Sequence, residues 1–244
     1  MSRFYAPPAS VRGKKIYVSG EEAHHITEVM RLGCGDPVTV FDGTGAEYDG
    51  VIASSGRKKV VIDVLDARPA GGEKRTAGLS LAQAVPKKDK MDLIAREATE
   101  LGAEEIIPFE SARTVARIKG ERRRRRPERW RRIAVEASKQ CGRSELPRIS
   151  EIKDFAGILR LIPEYDIAIM PCLSKKAVLL KSALRGIRRP KKTLAIIGPE
   201  GGFTEDEVTT AERKGAVLVS LGPLTLKSDT AAVVTLSILN NELG

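Results

Sequence analysis

No stretch of about 18 consecutive apolar residues occurs in this 244-residue chain, so a membrane-spanning helix is not expected. The opening residues, Met1-Ser2-Arg3-Phe4-Tyr5-Ala6-Pro7-Pro8, hold no apolar h-region, which argues against a secretory signal. Cysteine is sparse: Cys34, Cys141 and Cys172 lie far apart and are odd in number, as suits free thiols in a reducing cytoplasm. Histidine is scarcer still. His24 and His25 are the whole supply, so no metal-ligand spacing can be recognised and a catalytic metal is not expected. With 41% apolar and 30% charged residues, the composition is that of an ordinary soluble protein rather than a disordered one. The length allows one large domain or two ordinary ones.

Charge is present and unevenly distributed. The net charge is +10, and residues 113 to 132 alone hold eleven Arg or Lys against two Glu, a surplus of nine. A focused patch points to a polyanionic partner, where a uniformly basic surface would say little. Blocks of like charge also occur as solvated, self-repelling loops. Here the run is internal and leads straight into a helical pattern, which favours nucleic acid, and arginine's forked donors suit phosphate.

Up to residue 65 the pattern is mostly β. Strands are predicted at 15–18, 38–42, 47–52 and 60–65, with one helix at 21–30. Polar turns at Gly33-Cys34-Gly35-Asp36-Pro37 and Asp42-Gly43-Thr44-Gly45 separate them. Close-set short strands of this kind predict a small β-barrel. Residues 66–76, with Pro69, Gly71, Gly72 and Lys74, read as a linker. Beyond it, strands at 79–84, 105–108, 165–170, 193–197 and 217–221 alternate with helices at 89–101, 128–139, 174–184, 205–214 and 229–240. That alternation predicts a parallel sheet covered on both faces, with ligands bound outside the carboxyl ends of its strands.

Two of those carboxyl-end loops are candidates for chemistry. Gly198-Pro199-Glu200-Gly201-Gly202 lets a backbone approach a ligand closely. Thr204 and Glu207 behind it have the spacing of a capping box, which fixes a helix start. The spacing matches neither a dinucleotide fingerprint nor a P-loop, and Glu200 would repel a phosphate, so a neutral or cationic ligand fits better. A tight strand-to-helix connection explains this loop about as well. The second loop, Leu221-Gly222-Pro223-Leu224-Thr225-Leu226-Lys227-Ser228-Asp229, turns at its Gly-Pro pair and opens the last helix. Ser228 or Asp229 is a natural N-cap there. The alternative is that Leu224 and Leu226 line an apolar slot while Lys227 and Asp229 face a substrate.

Taken as a pair, the two turns resemble the RsmE family of SPOUT-class RNA methyltransferases. Leu81-Ala82-Gln83-Ala84-Val85-Pro86-Lys87, Ile106-Ile107-Pro108, Arg129-Trp130 with Glu136-Ala137, and Cys141-Gly142-Arg143 are similar as well. At the front so are Arg3-Phe4-Tyr5, His24-His25, Val29-Met30-Arg31-Leu32 and Phe41-Asp42-Gly43. The resemblance spans essentially the whole chain with its motifs in order. It implies an α/β protein: an amino-terminal PUA-like barrel over 1–72 and a SPOUT parallel-sheet domain over 73–244 whose carboxyl-terminal segment forms a trefoil knot. It further implies a cytoplasmic homodimer that uses S-adenosyl-L-methionine to methylate N3 of uridine 1498 in 16S rRNA, within a small-subunit particle.

Carried over by position, the cofactor is expected at Met170, Pro171 and Leu173, at Ile197, Gly198, Glu200, Gly201 and Gly202, and at Leu221, Gly222, Leu224 and Leu226. A side chain added at Gly201 is expected to fill the ligand's space. Asp229 is the candidate base for the N3 proton and Lys227 the cation that stabilises the developing anion. Glu200 either balances the sulfonium or bonds nearby backbone N–H groups. RNA contacts are expected from Arg3, Arg31, Arg113 and Arg117, and from Arg122, Arg123, Arg124, Arg125 and Arg126. Trp130 is read as a core residue before a stacking platform. One of the two histidines is expected to pack in the barrel and the other to touch RNA. The family commonly has Arg where Leu224 and Lys227 stand and Glu where Asp229 stands. That keeps open a methyltransferase acting on another RNA, and a catalytically inactive RNA-binding assembly factor. A nicotinamide enzyme is disfavoured, because Ala84-Val85-Pro86-Lys87-Lys88 after the first strand of the parallel sheet lacks a glycine fingerprint.

Overall fold

The computed structural model describes residues 2–68, 78–115, 117–187 and 190–243. The chain forms two compact units, Met1–Lys74 with Val135–Leu146, and Arg75–Ala134 with Pro147–Gly244. The expected boundary between residues 72 and 73, and most of the expected linker at 66–76, lie outside the described residues.

In the first unit, β1 (Ser2–Tyr5), β2 (Val11–Arg12), β3 (Lys15–Ser19), β4 (Pro37–Phe41), β5 (Glu47–Gly56) and β6 (Lys59–Arg68) form one curled sheet. Its order is β1-β4-β5-β6-β3-β2. It is a half-barrel, because the edge strands β1 and β2 each pair on one side only. The period of two sends Ile16 and Val18, Val38 and Val40, and Val60 and Ile62 to one face, where they bury Phe4 in an aliphatic core. The helix expected at 21–30 is instead α1 (Glu21–His24) followed by a π-helical turn over His25–Val29. The Met30 N–H reaches the His25 carbonyl at 2.9 Å, and the Thr27 hydroxyl donates to the Ala23 carbonyl, competing with a regular ladder.

The second unit holds β7 (Gly78–Ala84), α2 (Lys90–Glu100), β8 (Glu105–Glu110), the first part of α3 (Glu121–Cys141), β9 (Arg148–Ile149), β10 (Lys153–Asp154) and α4 (Phe155–Leu161). There follow β11 (Ile167–Pro171), β12 (Val178–Leu179), α5 (Leu180–Ala183), β13 (Lys192–Ile197), α6 (Glu205–Arg213), β14 (Ala216–Ser220) and α7 (Ser228–Leu243). The sheet runs β10-β8-β7-β13-β11-β14-β12, with β9 beside β8, and every pairing is parallel. Both faces are covered, as the alternation predicts. Leu81, Ile106, Ile169 and Ala195 meet α2, α3 and α7 on one face, while Ala82, Ile107, Ala168 and Leu194 meet α4 and α6 on the other.

Three segments depart from expectation. Residues 174–184 are not one helix: Val178 and Leu179 leave it to pair with Val219 and Ser220 on the edge of β14, and only α5 stays helical. Pairing with a free sheet edge outweighs local helix propensity here. The arginine run is not a loop before a helix. It is the first turns of α3, with Pro127 inside the helix. Finally, α4 and the two-residue strands β9 and β10 carry too little pattern to be expected.

Trp130 is 1% exposed and packs with Met91, Ile94 and Ile152 in the core beneath α2. Trp130→Ala is expected to cost about 3–5 kcal/mol of stability in denaturant unfolding. Trp130→Phe is expected to cost much less, since the indole N–H it removes has no hydrogen-bond partner.

Candidate functional site

The sheet order brings three carboxyl-end loops together. β11 lies between β13 and β14, so the segments after Pro171, Ile197 and Ser220 open on the same side. They enclose a cavity of about 760 Å³, within the size range typical of small-molecule sites. Pro171, Cys172 and Leu173 form one wall, residues 197–203 a second and residues 219–222 a third, with Leu224, Thr225, Leu226 and Ser228 closing it. Leu173 and Leu224 stand on opposite loops at 84% and 77% exposure, two apolar side chains facing solvent at the mouth. Arg113, Lys175 and Lys176 line it together with Glu200, Glu205 and Glu212. A wall of mixed sign suits a ligand that itself carries both charges.

Each loop is tied down locally. Thr204 caps α6 by accepting from the Glu207 N–H at 3.2 Å, and Glu207 accepts from the Thr204 N–H at 2.9 Å, which is the capping box the spacing predicts. The other oxygen of Glu207 accepts from the Ala112 N–H at 2.8 Å, binding the loop after β8 to α6. Arg113 then donates to the Gly201 carbonyl at 3.0 Å. Glu200 accepts from the Lys87 N–H at 3.0 Å, so of its two expected roles the backbone bond is the one formed. Ser228 does not cap α7. Its hydroxyl donates to the Gly198 carbonyl at 2.5 Å and accepts from the Gln83 amide at 3.0 Å. The phenyl ring of Phe203 lies against Phe109 and Phe155, with centroids 6.5 and 5.7 Å away.

Not all expected residues share this cavity. Met170 is fully buried within the sheet core and does not line it. Lys227 and Asp229 are also absent from the wall, because α7 starts at Ser228 and turns them away. Asp229 instead accepts from the Lys90 ammonium at 3.1 Å. Burial pushes its carboxyl up, but the Lys90 hydrogen bond, its own backbone N–H and the charges of Lys90 and Lys227 hold it below the ordinary aspartate value. A carboxylate so held is a weaker base than an ordinary aspartate. A Cβ at Gly201 would meet Arg113, itself a wall residue, at an ordinary 3.4 Å. Gly198 is the constrained position, since a Cβ there would lie 2.9 Å from the Phe203 ring. Sequence reasoning missed Gln83 and Lys90 as part of this region. Cys172 is a free thiol, raised by burial above the ordinary value.

The basic run divides in two. Arg122 and Arg124 are exposed on α3, as is Arg117 just before it. Arg125 is exposed but pairs with Glu121 one turn away. Arg123 turns inward, where Glu110 at 2.9 Å and the carbonyls of Ile118 and Ile152 hold it, and Arg126 lies 3.6 Å from Asp89. Arg123 is thus held by a half-buried acid and two carbonyls, whereas the Asp89 beside Arg126 is largely exposed and their pair is a surface one. Arg3 is likewise engaged within its own unit, by Glu47, by Ser144 at 3.0 Å and by the Phe41 ring at 4.6 Å, leaving 15% of its side chain exposed. Arg31 is exposed and sits at φ +55°, ending the π-helical turn. His25 packs edge-on against Phe4 at 5.9 Å, while His24 is exposed. Among the described residues no three His, Cys, Asp or Glu side chains converge as a metal site, and no helix is long and apolar enough to cross a membrane.

Comparison with known proteins gives this geometry a context. Residues 73–240 match the family model described as an RNA methyltransferase domain, and residues 18–65 match the RNA methyltransferase PUA domain. The ribosomal RNA small subunit methyltransferase E of Bacillus subtilis is 31% identical over 227 residues, covering 91% of this chain and 88% of that protein. The enzyme of the same name from Neisseria gonorrhoeae, solved bound to S-adenosyl methionine, superposes with a TM-score of 0.87 at 26% identity, covering 99% and 97% of the two chains. A methyltransferase from Legionella pneumophila in complex with the same cofactor gives a TM-score of 0.90 at 26% identity over 98% and 97%.

Two outcomes follow from the loop geometry. Gly198→Ala is expected to destabilise the chain by about 1–3 kcal/mol through its clash with the packed Phe203 ring, and Gly201→Ala by far less, as thermal unfolding can measure. For Asp229, the lowered carboxyl contributes stability above the ordinary aspartate range, and this is lost as the pH falls through its lowered value. Unfolding titrations should therefore show wild type losing its advantage over Asp229→Asn in acid and keeping it at neutral pH.

Proposed function

The chain belongs to the ribosomal RNA small subunit methyltransferase E family, and from that premise we propose that it transfers a methyl group from S-adenosyl-L-methionine to N3 of uridine 1498 in 16S rRNA. The observation that carries the proposal is the cavity built by the loops after β11, β13 and β14. Its residues fit the cofactor: Ile197, Leu221, Leu224 and Leu226 offer apolar surface to an adenine. Glycine backbone at Gly198, Gly201, Gly202 and Gly222 allows close approach, and Arg113 and Glu200 answer a ligand bearing carboxylate, ammonium and sulfonium. Pro171 and Leu173 would close the third side, with Met170 supporting them from the core. When bound, that cofactor supplies an electrophilic methyl group.

The chain's own part is alignment, exclusion of water and handling of one proton. Uracil N3 holds its proton at neutral pH, so the transfer needs a base, or a cation that stabilises the anion. Asp229 stays in the proposal as the proton acceptor, under a condition. Lys90 must give way to the substrate or share it, because the depressed carboxyl alone accepts a proton poorly. The ammonium groups of Lys90 and Lys227 beside it would stabilise the N3 anion. The target base has to leave its stack to present its Watson–Crick edge. Arg117, Arg122 and Arg124 would grip phosphates, and Arg31 would contact RNA from the first unit. We further propose that the enzyme is a cytoplasmic homodimer, that the substrate is a small-subunit particle and that the carboxyl-terminal loops thread a trefoil knot. Residues 1–72 would then act as the RNA-binding domain and residues 73–244 as the catalytic domain.

Mapping N3-methyluridine in total RNA from a deletion strain tests the reading: loss at position 1498 of 16S rRNA supports it, and loss only at a uridine of another RNA overturns it. Asp229→Asn is expected to lower kcat with cofactor affinity unchanged, and a full-rate variant removes Asp229 as the base. Arg122→Gln with Arg124→Gln is expected to weaken RNA binding and to reduce the slope of log affinity against log salt by up to about 2, while sparing cofactor binding.

A further inference from the structure

Gln83 is an amide with no exposed surface, near the end of β7 in the middle of the sheet. Its Nε2 lies 2.8 Å from the Ala84 carbonyl and 3.0 Å from the Ser228 hydroxyl, and its Oε1 has no partner. These contacts fix the direction of every hydrogen bond in the group. A carbonyl only accepts, so the amide end facing Ala84 is the NH2 group. Its second hydrogen then points to Ser228, whose oxygen is occupied as an acceptor. The Ser228 proton is left to run outward to the Gly198 carbonyl, 2.5 Å away.

We propose that Gln83 and Ser228 are positioning residues that set the orientation of the Gly198 peptide, and through it the shape of the cofactor cradle; this rests on the reading of the cavity as a cofactor site. The chain of donors is one-way: Gln83 to Ser228 to Gly198. It joins β7, the turn after β13 and the first residue of α7, three segments that meet only in the folded sheet. Gly198 is also where the turn has no room for a side chain, because a Cβ there would lie 2.9 Å from the Phe203 ring. Phe203 limits the turn from one side, and the Ser228 hydrogen bond fixes its carbonyl from the other. The orphaned Oε1 marks the cost of this arrangement. A fully buried acceptor is left without a partner, which a merely space-filling residue such as Leu would avoid. The amide is retained for what its NH2 group donates.

The test is cofactor binding by calorimetry on the full chain, with S-adenosylmethionine as the probe. If wild type gives no binding heat, the cofactor reading itself falls, and the inference with it. If wild type binds, Ser228→Ala is expected to weaken binding about tenfold, the scale of one lost hydrogen bond. Ser228→Thr, which keeps the hydroxyl, is expected to restore most of the loss. Unchanged affinity in Ser228→Ala overturns the proposal. Gln83→Leu combined with Ser228→Ala is expected to be no weaker than the worse single variant, since either change breaks the same chain, whereas losses that multiply overturn it. Gln83→Glu gives a signature that packing alone would not produce. Only its protonated carboxyl can donate to Ser228, so affinity should fall as the pH rises, and a pH profile parallel to wild type overturns the relay. Should the buried acid fail to fold, the serine variants still decide the matter.

Discussion

The pairing of β13 between β7 and β11 is the constraint from which the site follows. β13 joins β11, close to it in sequence, to β7, which lies far from it, and all three run the same way. Their carboxyl ends are therefore brought to one edge of the sheet. The turn at 198–202 faces the residues after Pro171 on one side and the end of β7 on the other. Burial on both faces makes this arrangement firm. Shifting β13 by one residue would send Leu194 and Ile196 to the α2–α7 face and Ala195 and Ile197 to the other, exchanging two packed sets. The cavity inherits its geometry from that register, and the loops add only local ties.

Three of those ties are carboxylates accepting from backbone N–H groups. Glu207 serves Thr204 and Ala112, and Glu200 serves Lys87. Charged acceptors on backbone donors form stronger hydrogen bonds than neutral pairs and need no second flexible side chain. Glu200 and Glu207 thus hold the loops after β7, β8 and β13 as one body. Aromatic packing of Phe109, Phe155 and Phe203 supports the same turn from beneath.

What the sequence reveals of this depends on how far apart the interacting residues are. The capping box at Thr204 and Glu207 is three residues long and can be read directly, as can the alternation of strands and helices. The residues after β11 could not be read that way. Ser174 onward has the composition of a helix, and only the free edge of β14 makes Val178 and Leu179 a strand. Arg123 looks like its neighbours in a run of five, yet the helical period turns it toward Glu110 and the Ile152 carbonyl while Arg122 and Arg124 stay in solvent. Gln83 and Ser228 are 145 residues apart, and neither has a local pattern that announces the other. Family resemblance supplied the ligand's identity, which spacing alone left open.

Cys172 shows what such a wall must avoid as well as what it must bind. A sulfur in a cavity proposed to hold a methyl donor is a rival nucleophile, but only as a thiolate. Burial raises its ionisation, and the nearby Glu212 charge acts in the same direction, against the backbone hydrogen bond at Ser174. The group therefore stays a neutral thiol at physiological pH, polarisable and apolar enough to pack, and a poor nucleophile toward any methyl donor the cavity holds. The same burial that makes Cys172 part of the wall thus guards the protein against alkylating itself.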